Sequence, residues 1–248
     1  MKFILTGDTH RSETCARINY IKSIHPNTNF SLIILGDSCI NYFLDERDQQ
    51  HKTELEKCEI NIYCVRGNHE QRPELVDNII QVYDPMVDGC IYFEKKYPHI
   101  RYFIDGEVYI INNRSVLVLG GAYSVDKYYR LTTGAKWFEQ EQLNEEERKK
   151  IFEKISGQHF DIILSHTCPF SMRPTDLFLS MIDQSTVDNS MEIWLETLRN
   201  YITYNTWVWG HYHDDRIQEP EHYMLFRHFV DIEDIYNNTT DLKPKEEK

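Results

Sequence analysis

Short apolar runs in this chain end, time after time, in polar clusters rich in Asp, His and Asn. Lys2 to Thr6 is followed by Gly7-Asp8-Thr9-His10, Ser31 to Leu35 by Gly36-Asp37, and Ile60 to Val65 by Arg66-Gly67-Asn68-His69-Glu70. Asp161 to Leu164 is followed by Ser165-His166, and Trp207 to Trp209 by Gly210-His211-Tyr212-His213. Near-continuous apolar runs of this length fit strands buried on both faces. In open α/β sheets ligands bind in the crevice outside the carboxyl ends of the strands, so clusters far apart in sequence can converge there. The glycines at 7, 36, 67 and 210 let the backbone turn tightly and approach a ligand closely.

Between the runs lie stretches that read as helices: Ser12 to Ile24, Glu46 to Cys58, Glu74 to Tyr83, Glu145 to Ile155 and Met191 to Tyr204. Strands alternating with helices predict β-α-β units covering a sheet. Asn189 with Glu192 three positions on predicts a capping box for the last helix. Ile100 to Leu119 alternates around Asp105-Gly106 and Asn112-Asn113, which predicts an antiparallel meander with two hairpin turns. A length of 248 residues suits one domain, expected over 1–232, and the polar residues 233–248 are expected to form a disordered tail.

A formal net charge of -13 argues against a protein that coats nucleic acid through a basic surface. A local positive site is not excluded, since a bound ion can dominate local electrostatics whatever the distant surface carries. The six cysteines form no CxxC pair, and a chain of this size needs no disulfide staples. Phe3-Ile4-Leu5 is too short for a signal segment, and no apolar run approaches a membrane span. A cytoplasmic protein with reduced thiols and no membrane partner is the expectation.

Taken in order, the clusters resemble the motifs D-x-H, G-D, G-N-H-[DE], H and G-H-x-H of the calcineurin-like metallophosphoesterase superfamily, in a bacterial or phage-type form. They extend from Gly7 to His213. The resemblance implies an α/β fold, a four-layer αββα sandwich of two mixed β-sheets flanked by helices. It implies two divalent metal ions, one on Asp8, His10 and His213 and the other on Asn68, His166 and His211, with Asp37 bridging them. That mixed carboxylate, imidazole and amide set suits Mn²⁺ best, with Fe or Zn²⁺ as alternatives.

Two metals about 3.5–4 Å apart can share a hydroxide and clamp phosphate oxygens during in-line displacement. His69 would then be the general acid, with Glu70 orienting it or holding the loop, and Arg66 would bind phosphate oxygens bidentately. The segment from Gly120 to Arg130 resembles one that borders the active site in bacterial members, which makes Tyr123, Asp126 and Arg130 candidate substrate contacts. Phosphoprotein phosphatases carry Asp-Arg-Gly three residues after the bridging Asp, where this chain has Ile40-Asn41-Tyr42. A dedicated protein phosphatase is therefore not expected. The expectation is hydrolysis of a small phosphorylated substrate, with Arg66 tilting towards a monoester. A phosphodiesterase or nuclease on the same site, and a catalytically silent binding scaffold, are the alternatives.

Overall fold

Two passes of the chain lay down two mixed β-sheets in the computed structural model, which describes residues 1–244. The first pass contains β1 (Lys2–Thr6), α1 (Thr14–Ile24), β2 (Phe30–Ile34), α2 (Glu46–Glu56), β3 (Ile62–Cys64), β4 (Ile79–Asp84), β5 (Gly89–Glu94) and β6 (Ile100–Phe103). The second contains β7 (Val108–Ile111), β8 (Arg114–Leu119), α3 (Lys127–Thr133), α4 (Glu145–Ile155), β9 (His159–Ser165), α5 (Ser190–Arg199), β10 (Thr203–Trp209), β11 (Arg216–Glu219) and β12 (His222–Met224). The chain then rejoins the first sheet through β13 (Val230–Asp231) and ends its described helices with α6 (Ile232–Tyr236). Strand order is β13-β1-β2-β3-β6-β5-β4 in one sheet and β11-β12-β10-β9-β8-β7 in the other. β1, β2, β3 and β6 run parallel, as do β8, β9, β10 and β12, with antiparallel strands at the margins.

Side chains alternate across a strand, and here the alternation sorts each apolar run between two cores. Leu5, Ile33, Tyr63 and Val65 meet Val116, Val118, Ile162, Leu164 and Val208 in the cluster between the sheets. Ile4, Leu32, Ile34, Ile62 and Cys64 point the other way, onto Ile18 and Ile21 of α1 and Leu55 of α2. On the far side Leu117, Leu119, Ile163, Trp207 and Trp209 pack on Ile151 and Ile155 of α4 and Leu195 and Leu198 of α5. Three apolar interfaces separate four layers, which is the αββα sandwich expected. No helix among the described residues is long and apolar enough to cross a membrane.

Four expectations are corrected. Glu74 to Tyr83 is not a helix: Pro73–Leu75 makes one 3₁₀ turn, and 79–84 pairs antiparallel with β5. The expected meander is divided between the sheets, because β6 pairs with β3 and β5 whereas β7 pairs with β8. Asp105-Gly106 is thus the crossover between sheets, and Asn112-Asn113, with φ of 50° and 63°, turns the one real hairpin of the two. The Asn189 side chain does not cap α5; its Oδ1 accepts from Arg173 instead, and the capping box forms at Asn144 and Glu147. Finally, residues 233–244 are not a disordered tail, since Ile235 and Leu242 are buried in the inter-sheet core. The last four residues of the expected tail lie outside the described residues.

Candidate metal centre

The parallel strands deliver their carboxyl ends to one edge of the sandwich. Asp8 and His10 follow β1, Asp37 follows β2 and Asn68 follows β3, all from the first sheet. His166 follows β9, and His211 and His213 follow β10, from the second. The loops lock together: His10 N–H donates to Asp37 O at 2.9 Å, and Gly210 N–H to His166 O at 3.0 Å. A Cβ at Gly36, whose φ is +97°, would stand 2.0 Å from His166 Nδ1, so only glycine lets that ring in. His10, Asp37, His211 and His213 have φ of 42°, 44°, 66° and 57°, a conformation costly for non-glycine residues and typical of functional loops.

Carboxylate, imidazole and amide atoms converge here. His166 Nδ1 lies 2.7 Å from the Leu35 carbonyl oxygen, an acceptor only, so the ring hydrogen sits on Nδ1. Its Nε2 lone pair then faces Asn68 Oδ1 at 2.8 Å and Asp37 Oδ1 at 3.5 Å. Asn68 is oriented by its Nδ2, which donates to Ser124 Oγ at 2.9 Å, and Ser124 in turn donates to Glu141. A few ångströms away His10 Nε2 and His213 Nε2 are 2.9 Å apart, and His213 is 3.1 Å from Asp8 Oδ2. The ligand atoms of Asp8, His10 and His213 lie within 4.8 Å of one another, as do those of Asp8, Asp37 and His166. His211 places its ring 5.0 Å from that of His166. Carboxylate, imidazole and amide oxygen around shared points, with outer groups fixing each ring, is a donor set that fits divalent cations.

The electrostatics agree. Burial opposes charge on Asp37 and Asp8, but surrounding histidines outweigh it and hold both carboxyls below their usual range. Burial lowers His10 and, with His166 nearby, pushes His211 down to about 3. Ionised carboxylate and, at His10 and His211, neutral imidazole are forms that bind metal, whereas the hydrogen bond to Asp8 raises His213.

His69 lines the cleft with Nε2 3.7 Å from Asp37 Oδ2, while its Nδ1 meets the guanidinium of Arg130. Glu70 does not touch that ring: its carboxylate accepts from Gly67 N–H and Ser38 Oγ, and burial raises it to about 7. Arg66 is corrected outright. Its Nε donates to Asp105 at 2.7 Å, its other nitrogens to the carbonyls of Gly120, Gln140 and Glu141, and it is absent from the cleft lining. Motif adjacency gave it a role that its side chain turns away from. Tyr123, Asp126 and Arg130 do line the cleft. Ser124 escaped sequence reasoning, although it sits inside the same Gly120 to Arg130 segment and orients Asn68.

The cleft above these residues encloses about 570 Å³. A two-sheet α/β sandwich with a carboxylate-imidazole-amide site at its strand ends defines a metal-binding hydrolase class. The chain matches the calcineurin-like phosphoesterase family over residues 1–215 and belongs to that family. Comparison with curated proteins returned no match.

Proposed function

We propose that this protein hydrolyses a phosphate ester with two divalent ions bound in the cleft. Asp8, His10 and His213 would hold one, Asn68, His166 and His211 the other, with Asp37 between them; the donor chemistry favours Mn²⁺, with Fe or Zn²⁺ next. The observation that carries this is the convergence of His166 Nε2, Asn68 Oδ1 and Asp37 Oδ1, with His166 Nε2 2.8 Å and 3.5 Å from the two oxygens. Bound ions supply an activated hydroxide and charge neutralisation for phosphate oxygens. The protein's own residues do the rest.

His69 is the proton donor to the leaving oxygen. With Nδ1 accepting from Arg130, its proton sits on Nε2. Arg130 also lines the cleft, so its guanidinium is the cation available to a phosphate oxygen beside His69. The preference for a monoester therefore rests on Arg130 instead of Arg66. The length of the cleft beyond His69 favours a second reading, a diesterase, because it leaves room for another ester group. The test is metal-stripped protein given Mn²⁺ and assayed on p-nitrophenyl phosphate and its bis ester. Turnover of either, lost in Asp37→Asn, supports the reading, and the ratio of the two rates separates mono- from diester. Turnover of neither would sink it. The six unpaired cysteines support a reducing, cytoplasmic setting.

A further inference from the structure

One arm of the cleft runs away from the ligand cluster along residues 173–189. Leu177, Phe178, Leu179, Ile182 and Val187 line it together with Val125. Leu179 is 55% exposed and Val125 42%, so this apolar surface lacks a cover. Tyr123 and Tyr212 line it as well, and the Phe178 and Tyr212 rings lie within 21° of parallel. Glu192 also lines the arm and is 4% exposed. Its Oε1 accepts from Thr167 Oγ1 at 2.9 Å, but its Oε2 has no hydrogen-bond partner among the described residues. Asp126 is similar: Oδ2 takes Arg130, and Oδ1 has no partner among the described residues.

The cation of this arm is already committed. Arg173 donates to Asn189 Oδ1 and Phe170 O, and lies over the Phe170 ring. One oxygen of the Glu192 carboxylate is left without a donor, and a buried acceptor left unpaired costs about 1–3 kcal/mol. A second phosphate or carboxylate would worsen that deficit. A flat apolar group would cover the exposed wall, and an N–H or O–H on it would satisfy Glu192.

We infer that this arm binds the organic half of the substrate, an aromatic group carrying a neutral hydrogen-bond donor, with Leu179 and Phe178 covering the ring and Glu192 accepting from the donor. The inference rests on the phosphoesterase reading above and names the class of ester. Isothermal titration of the Mn²⁺-loaded protein with methylphosphonate, benzylphosphonate and 4-aminobenzylphosphonate tests it through binding alone. Benzylphosphonate is expected to bind about tenfold tighter than methylphosphonate, as for partial burial of one ring. The amino compound is expected to gain several-fold more. Leu179→Ser, at an exposed position that folding does not depend on, should shrink the benzyl-to-methyl ratio; Glu192→Gln should shrink the amino-to-benzyl ratio. Equal affinities for the three phosphonates, in a protein that turns over p-nitrophenyl phosphate, would overturn the arm and leave the metal site standing. Ratios unchanged in both variants would also overturn it. Binding of none, with no turnover, would overturn both readings.

Discussion

His166 donates its Nδ1–H to the carbonyl oxygen of Leu35 at 2.7 Å, a bond from one sheet to the other. It turns the opposite nitrogen onto Asn68 Oδ1 and Asp37 Oδ1, a set of atoms that a cation would hold together. Mn²⁺ at a hundredfold its Kd is therefore expected to raise the Tm of stripped protein by about 5–10 °C. Asn68→Ala should shrink that rise. A Tm indifferent to metal in the wild type would count against the site.

His69→Asn is expected to lower kcat by about 10²–10⁴-fold on an alkyl phosphate, as for loss of a general acid. On p-nitrophenyl phosphate, whose leaving group needs little help, the loss should be much smaller. Equal losses on both substrates would assign His69 to something other than proton donation. Steady-state rates on the pair decide it.

Arg66→Ala should damage stability rather than catalysis. It strips the Asp105 carboxylate and three backbone carbonyls of a buried partner, at a cost of about 3–5 kcal/mol. Urea unfolding measures the loss. A KM raised tenfold or more in protein that unfolds like the wild type would restore Arg66 to the phosphate.

His51, buried on α2, has an Nε2 without a hydrogen-bond partner among the described residues. Burial, and then Arg11, push it down to about 4. The unfolded chain takes up this proton near pH 6.5 and the folded chain resists until about 4, so His51 removes stability as pH falls through that window. Between pH 7.5 and 5 the effect is about 1–2 kcal/mol. His51→Leu should lose that much less stability over the same interval; identical pH slopes for both proteins would show that the ring is freely protonated.

The inner strands and the polar clusters that follow them could be read because both are local. β1 was predicted at Lys2–Thr6 and forms there, since a run buried on both faces needs no partner to be recognised. The ligand clusters follow such runs directly. Residues 74–83 misled because Val76, Ile79, Ile80 and Tyr83 fall at helical spacing, and only pairing with β5 makes them a strand. Asp105-Gly106 reads as a hairpin turn until the strands on either side choose different sheets. Arg66 shows the same limit at the site. Which way its guanidinium points is decided by Asp105 and by carbonyls near residue 140, none of them near it in sequence.

The two halves of the candidate ligand set grow from different sheets, Asp8, His10, Asp37 and Asn68 from one and His166, His211 and His213 from the other. An ion gripped by both halves would be a clasp on the open edge of the sandwich, released only when that edge gapes. The speed with which a chelator in excess draws the ion out then becomes a clock, ticking each time the sheets part.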